Sequence, residues 1–198
     1  SVKKGKVELT TGDGSISIAD IEKSIKVRTG DGSIKVMRVG GSAVVRTGDG
    51  SIRIGPLGGK IDATTGDGSI SVDGSGGSVN ITTGDGSVKI ANARDTIHAK
   101  TGDGSITAAY LGREKGKGEV HLLTGDGTVT LSIPENLGAD FDIEINLRNP
   151  DEDYKIISDF PLSPKETDDE ITCTDSINGG GVKIKIRTTN SFVKIRKL

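Results

Sequence analysis

The chain has 198 residues, with 26 Lys or Arg against 28 Asp or Glu and a formal charge of −2, so it lacks the basic excess with which nucleic-acid and anionic-membrane binders track phosphate. Its 30 glycines, two Tyr, three Phe and no Trp describe many tight turns around a thin aliphatic interior, and the lone Cys173 excludes an internal disulfide scaffold. No run reaches the roughly 18 apolar residues of a membrane span, and no signal-peptide core opens the chain.

The first residue is Ser1 rather than Met, and Val7 and Leu9 fit the second half of a repeat. The chain is therefore expected to begin partway round a coil, as a processed product or a piece with an upstream segment. Thr11 then opens TGDGS, which recurs at Thr29, Thr47, Thr65, Thr83 and Thr101, with TGDGT at Thr124. Five successive spacings are 18 residues and the sixth is 23. A fixed period of this size marks a solenoid, in which each repeat buries its apolar face only against its neighbours.

Numbered from its Thr, each repeat is apolar at positions 6, 8, 11, 15 and 17, as in Ile52, Ile54, Leu57, Ile61 and Ala63. Alternation at 6 and 8, and again at 15 and 17, is the period of a half-buried strand, so each repeat holds two short strands. The GDG between them is expected to turn with positive φ at a glycine while its aspartate accepts hydrogen bonds from the Gly and Ser amides of the same turn. A second corner falls at positions 12 and 13, as at Gly40-Gly41, Gly58-Gly59 and Gly76-Gly77. Position 1 continues the inward phase of 15 and 17, so the threonines should point inward or into the corner, stacked as a ladder along the axis. Positions 5, 7, 14, 16 and 18 then face outward in rows spaced about 4.8 Å apart.

The pattern loosens after Thr101. Residues 112–118, GREKGKG, form a basic insertion at the second corner, and Val120 and Leu122 resume the inward phase. TVTLSI at 128–133 precedes strict alternation at Phe141, Ile143, Ile145 and Leu147. RNPDEDYKI at 148–156 superposes on RTGDGSIKV, so Asn149 is expected to open a degenerate coil, followed by a mobile acidic excursion at 163–181. VKIKIRTTNSFVKI then restores the repeat, with Thr188 at position 1. The count is nine coil starts, the last three at 124, 149 and 188. Phe141, Tyr154, Phe160 and Phe192 lie in this irregular part, as a C-terminal cap requires.

The most conspicuous polar row is Asp13, Asp31, Asp49, Asp67, Asp85, Asp103 and Asp126. Like charges at that spacing repel by roughly 0.9 kcal/mol per neighbouring pair in water, so the row calls for turn amides, nearby Lys and Arg, or a line of cations to offset it. His98 and His121 both occupy position 16, in a row expected to include Asp62, Asn80 and Asn146, with Glu119 and Glu144 beside it at position 14. Two imidazoles and Glu119 would bind zinc or another borderline metal where they converge. Asp142 and Glu144, with Glu119 adjacent, are the one carboxylate cluster that a polysaccharide-cleaving β-helix would use. There is no nucleophile motif, phosphate-binding loop or paired-cysteine motif, and no cofactor is called for.

The serial TGDGSI, together with LSIPENLGADFDIEI, SDFP and INGGGVKIKIRTTNSFVKI at the end, resembles a family of bacterial and archaeal β-strand-repeat domains of unknown function that carry an adhesin label. The resemblance covers nearly all 198 residues. It implies a β-solenoid exported or exposed at the cell envelope, and it transfers no catalytic residue. The expectation is one all-β domain over 1–198, a right-handed parallel β-solenoid or β-helix, with regular 18-residue coils over 1–123 and irregular coils and a C-terminal cap over 124–198. Its expected role is non-enzymatic and adhesin-like, with a surface polymer or protein as partner and no direct membrane insertion. The alternatives are self-association through the solenoid ends as a filament or envelope subunit, and a polysaccharide hydrolase.

Overall fold

Apolar alternation at two places in every repeat gives two strands per coil, and stacking the coils gathers these strands into two sheets. The computed structural model describes residues 6–112, 118–148 and 153–198. The regular part supplies β1 (Val7–Thr10), β2 (Ile16–Ile18), β3 (Ile25–Arg28), β4 (Ile34–Val36), β5 (Ala43–Arg46), β6 (Ile52–Ile54), β7 (Ile61–Thr64), β8 (Ile70–Val72), β9 (Val79–Thr82), β10 (Val88–Ala93), β11 (Ile97–Lys100) and β12 (Ile106–Tyr110). Next come β13 (Glu119–Leu123), β14 (Val129–Ile133), β15 (Ala139–Asn146), β16 (Ile156–Ser158), β17 (Lys165–Glu166), β18 (Glu170–Ile177), β19 (Val182–Thr189) and β20 (Val193–Lys197).

Odd strands from β1 to β13 lie side by side in one sheet and even strands from β2 to β14 in the other. Their pairs are parallel and bring equivalent residues together: Ile25 faces Ala43, Ala43 faces Ile61, and Ile34 faces Ile52. Position 11 adds a third column of single-residue bridges, from Ile21 through Val39, Leu57 and Ser75 to Ala93. The inward residues of both sheets and this column form a shared aliphatic core, in which Ile54, Ile61, Ile97 and Ile106 are fully buried. Burying such a side chain stabilises by roughly 1.5–3 kcal/mol, so four or five inward positions per coil hold the stack together. Ser75 is the polar member of that third column, and its buried hydroxyl lies 3.1 Å from Gly59 O and 2.8 Å from Gly77 O. The architecture is an all-β strand repeat with two stacked sheets, solenoid-like as expected.

The turns differ from expectation. No GDG glycine has positive φ; among the described residues that conformation occurs at Gly112, Gly179, Gly180 and Gly181, and at Asp20, Asn92, Asn178 and Asn190. Glycine is needed there because successive coils approach too closely for a side chain. A Cβ on Gly68 would lie 2.6 Å from the Gly50 carbonyl carbon and 2.8 Å from Asp49 O. In the first turn, a Cβ on Gly12 meets nothing within 4 Å.

The closing part is assembled out of sequence order. β19 lies between β13 and β15, and β20 lies between β14 and β16. Leu122 pairs with Ile186, and Ile186 in turn with Ile143. The Thr188 coil, last in the chain, therefore stacks directly on the Thr124 coil and does not follow a coil from Asn149, a residue outside those described. The parallel pattern ends at β15, which pairs antiparallel with β18, itself antiparallel to β17. The acidic excursion expected to be mobile forms these two strands and buries Ile171, Cys173 and Ile177. Phe141 and Phe160 are buried, and Tyr154 packs edge-on against Phe192 with ring centroids 5.8 Å apart. Within the basic insertion, residues 113–117 lie outside those described.

Candidate functional site

The threonines form the inward ladder that the phase of the repeat required, with Thr29, Thr65, Thr83 and Thr101 at most 4 % exposed. Each hydroxyl sits between two carbonyls of the preceding turn: Thr65 Oγ1 lies 3.0 Å from Gly48 O and 2.8 Å from Gly50 O. Thr47, Thr83, Thr101, Thr124 and Thr188 repeat the arrangement. Backbone amides add to it, since Gly66 N donates to Gly48 O and Gly84 N to Gly66 O. Threonine and backbone therefore link each turn to the one before it.

The aspartates Asp13, Asp31, Asp49, Asp67, Asp85, Asp103 and Asp126 are all exposed. The expected hydrogen bonds from their own turn amides are not formed. The carboxylates from Asp13 to Asp103 lie instead over the glycine of the next turn: a Cβ on Gly30 would fall 2.7 Å from Asp13 Oδ1, and one on Gly125 would fall 2.7 Å from Asp103 Oδ1. Among the described residues no three of His, Cys, Asp and Glu are grouped so as to hold a metal ion, in this row or at the histidines.

On the outer face of the eleven-stranded sheet, His98 and His121 are direct cross-strand partners with ring centroids 5.8 Å apart, edge to face. Asp62 and Asn80 precede them in the row as expected. The next residue is Lys185 and the one after it Asp142, so Asn146 belongs elsewhere. Partial burial, then the neighbouring His98, Lys185 and Arg187, push the His121 imidazole below its ordinary value against the opposing pull of Glu119. Two cationic side chains next to the pair work against a divalent cation there.

The carboxylate cluster is also rearranged, because β19 separates Glu119 from β15. Glu119 pairs with Lys183, whereas Glu144 faces Arg187 two outward rows away. Arg187 binds both remaining acids, with Nη2 2.7 Å from Asp142 Oδ1 and Nε 3.0 Å from Glu144 Oε2. Cys173 is buried and its thiol donates toward Asp175 at 3.4 Å. Burial, together with that carboxylate, pushes its pKa up to about 12, so it carries no thiolate at neutral pH.

The outer face of the nine-stranded sheet has a different character. Position 5 is a hydroxyl on coil after coil, Ser15, Ser33, Ser51, Ser69, Ser87, Ser105 and Thr128. Position 7 runs in register from Ser17 through Lys35, Arg53, Ser71, Lys89, Thr107 and Thr130 to Lys194. That run has four cations, four hydroxyls and no carboxylate. A shallow groove follows both columns over the first five coils. The column of cations was readable from the period alone as far as Lys89; Lys194 joins it only because β20 inserts beside β14.

Fold and surface together define a repetitive β-strand-repeat domain whose outward features come in rows. The family model described as Toastrack DUF4097 matches residues 1–196, and the chain belongs to that bacterial family of unknown function. Comparison with curated proteins and with solved structures gives no match.

Proposed function

We propose that this chain is a non-enzymatic, adhesin-like module of the cell envelope or extracellular space, a right-handed β-solenoid whose outward rows hold a surface polymer or protein. The observation that carries this reading is the register, which places equivalent outward groups one above another on coil after coil. A surface that repeats once per strand spacing suits a ligand that itself repeats. Right-handed winding follows the usual hand of parallel strands joined by crossovers. Family membership supports the envelope location. The engagement of Asp142 and Glu144 by Arg187 supports a binding role over glycan cleavage. No helix among the described residues is long and apolar enough to cross a membrane.

The test is co-sedimentation of the purified chain with isolated cell envelopes of its host, alongside fractionation of the native protein. Saturable pelleting and an envelope or extracellular fraction are expected. Protein that stays in the supernatant at every concentration, from cells that keep it in the cytoplasm, would end the reading.

Self-association is the second reading, favoured by β1 and β2, which each have one neighbour among the described residues, and by Leu9 at 39 % exposure. Unpaired edges of this kind invite another copy. Light scattering across a hundredfold concentration range should show a growing mass if such pairing occurs, and a constant monomer removes it.

A further inference from the structure

We infer that the outer face of the nine-stranded sheet binds an extended acidic polysaccharide, laid along the solenoid axis over the column of Lys35, Arg53, Lys89 and Lys194. The inference rests on the surface-binding reading above and names its ligand class. Three observations carry it.

The first is the charge pattern. Lys35 and Arg53 are direct cross-strand partners, an arrangement of like charges that costs stability in a sheet. On the opposite face some cations are neutralised, Lys26 by Glu8 at 2.6 Å and Arg187 by Asp142 and Glu144, with Arg46 3.9 Å from Asp62, while Arg28, the cross-strand partner of Arg46, and Lys100 form no ion pair among the described residues. No side-chain hydrogen bond or ion pair involves Lys35, Arg53, Lys89 or Lys194 among the described residues. The column therefore presents positive charge that the protein leaves for an external anion. The aspartate row sits four residues upstream of it on each coil, on the turn, and forms no ion pair with the column among the described residues. It bounds the anionic ligand on one side without neutralising the column.

The second observation is the hydroxyl column beside the cations. Serine at position 5 of six successive coils offers a donor and acceptor at every step, which matches the hydroxyls of a sugar chain. The third is the absence of an aromatic side chain from both columns between Ser15 and Thr130. Single-stranded nucleic acid binds through stacking platforms, and this groove has none. Backbone pairing fixes both columns on a rigid sheet, so the face is ordered before a ligand arrives.

The test measures binding of the full chain to polygalacturonate, to neutral dextran of matched length and to oligodeoxythymidylate, at low and at high salt. Polygalacturonate should bind and weaken as salt rises, and dextran should not bind. Replacing the regular-coil cations together, Lys35→Ser, Arg53→Ser and Lys89→Ser, uses a residue that Ser17 and Ser71 already place in the column. It should weaken polygalacturonate binding about tenfold or more. A charge-matched control on the other sheet, Arg28→Thr, Arg46→Thr and Lys100→Thr, uses the residue found at Thr10, Thr64 and Thr82, and should bind as the parent does. Should the triple column variant misfold, Arg53→Ser alone must still weaken binding while the control does not.

Equal loss in both triple variants would mean net charge alone is at work and would overturn the assignment. So would unchanged affinity in the column variant, tighter binding of the oligonucleotide, or no binding of polygalacturonate. Envelope pelleting that persists when the column is neutralised would leave the general surface-binding reading standing and remove this one.

Discussion

The regular coils and the closing segment are built from the same alternating strands, yet they are held together differently. Between β3 and β11 every strand's neighbours are the equivalent strands one repeat away, and Thr65 reaches back to Gly48 and Gly50 as Thr47 does to Gly30 and Gly32. In the closing segment Phe141 pairs with Ile184 and Asp175, residues more than thirty positions further along the chain. Repetition makes stability additive and local. Closure makes it depend on one inserted element, the β19–β20 pair, which touches the last regular coil on one side and the cap on the other.

The sharpest way to break the comparison is to end the chain at Gly181. Loss of β19 and β20 should strip amide-exchange protection from β15, β16 and β18 entirely, while β5 to β9 keep most of theirs. Simultaneous loss of protection throughout the molecule would show that the regular coils do not stand on local contacts.

Within the coils, position along the stack should decide the cost of a turn mutation. Gly68→Val forces a side chain into the Gly50 carbonyl and should cost about 3 kcal/mol, or roughly 6–12 °C in Tm for a chain of this size. Gly12→Ala has open space beneath it and should stay within about 0.5 kcal/mol. Equal melting temperatures for the two variants would contradict the close-approach account of the turn.

A smaller effect should follow from the hydroxyl ladder. Thr65→Val leaves two buried-turn carbonyls without their side-chain donor and should cost about 1–2 kcal/mol by denaturant unfolding. Thr11→Val removes no such bond and should be nearly neutral. Thr65→Ser, which keeps the hydroxyl, should recover most of the loss.

Acid should produce the smallest effect, acting first at His121 and then, at lower pH, on the closing segment. Ser176 and the Gly181 amide hold the Asp140 carboxyl below the ordinary range, Arg196 and the Lys197 amide do the same for Asp159, and Lys197 does so for Glu135. The stability these groups add is present above the ordinary carboxylate values and is lost as pH falls through their lowered folded values. His121 acts in the same direction at higher pH: the unfolded imidazole takes a proton before the folded one does, so stability declines as pH drops below the ordinary value of 6.5. Stability at pH 5 should therefore lie below that at pH 7, and His121→Asn, the residue that faces His98 from the other side, should flatten this segment of the curve. A parent protein equally stable at both values would refute the assignment.

Much of the candidate surface was legible in the residues. The phase of the repeat placed Thr29 and its equivalents inside, His98 beside His121, and Lys35 beside Arg53, because a fixed 18-residue period is already a map of which residues stack. It misassigned the turn. Composition alone does not distinguish a glycine required by positive φ from one required by close approach, and only the distance between Gly68 and Gly50 separates the two.

The sequence by itself determined the strands, their inward faces and the neighbours of every regular coil, since local alternation sets the face and the period sets the partner. Tertiary structure alone decided the order of β15, β18 and β19. These three strands have the same length of eight residues and similar alternation, so each is suited to several edges. The order observed puts Phe141 beside Ile184 and Ile145 beside Ile171, all buried. The same order separates Glu119 from Asp142 and brings Arg187 between Asp142 and Glu144, a juxtaposition that depends on contacts far apart in the chain and on no local signal.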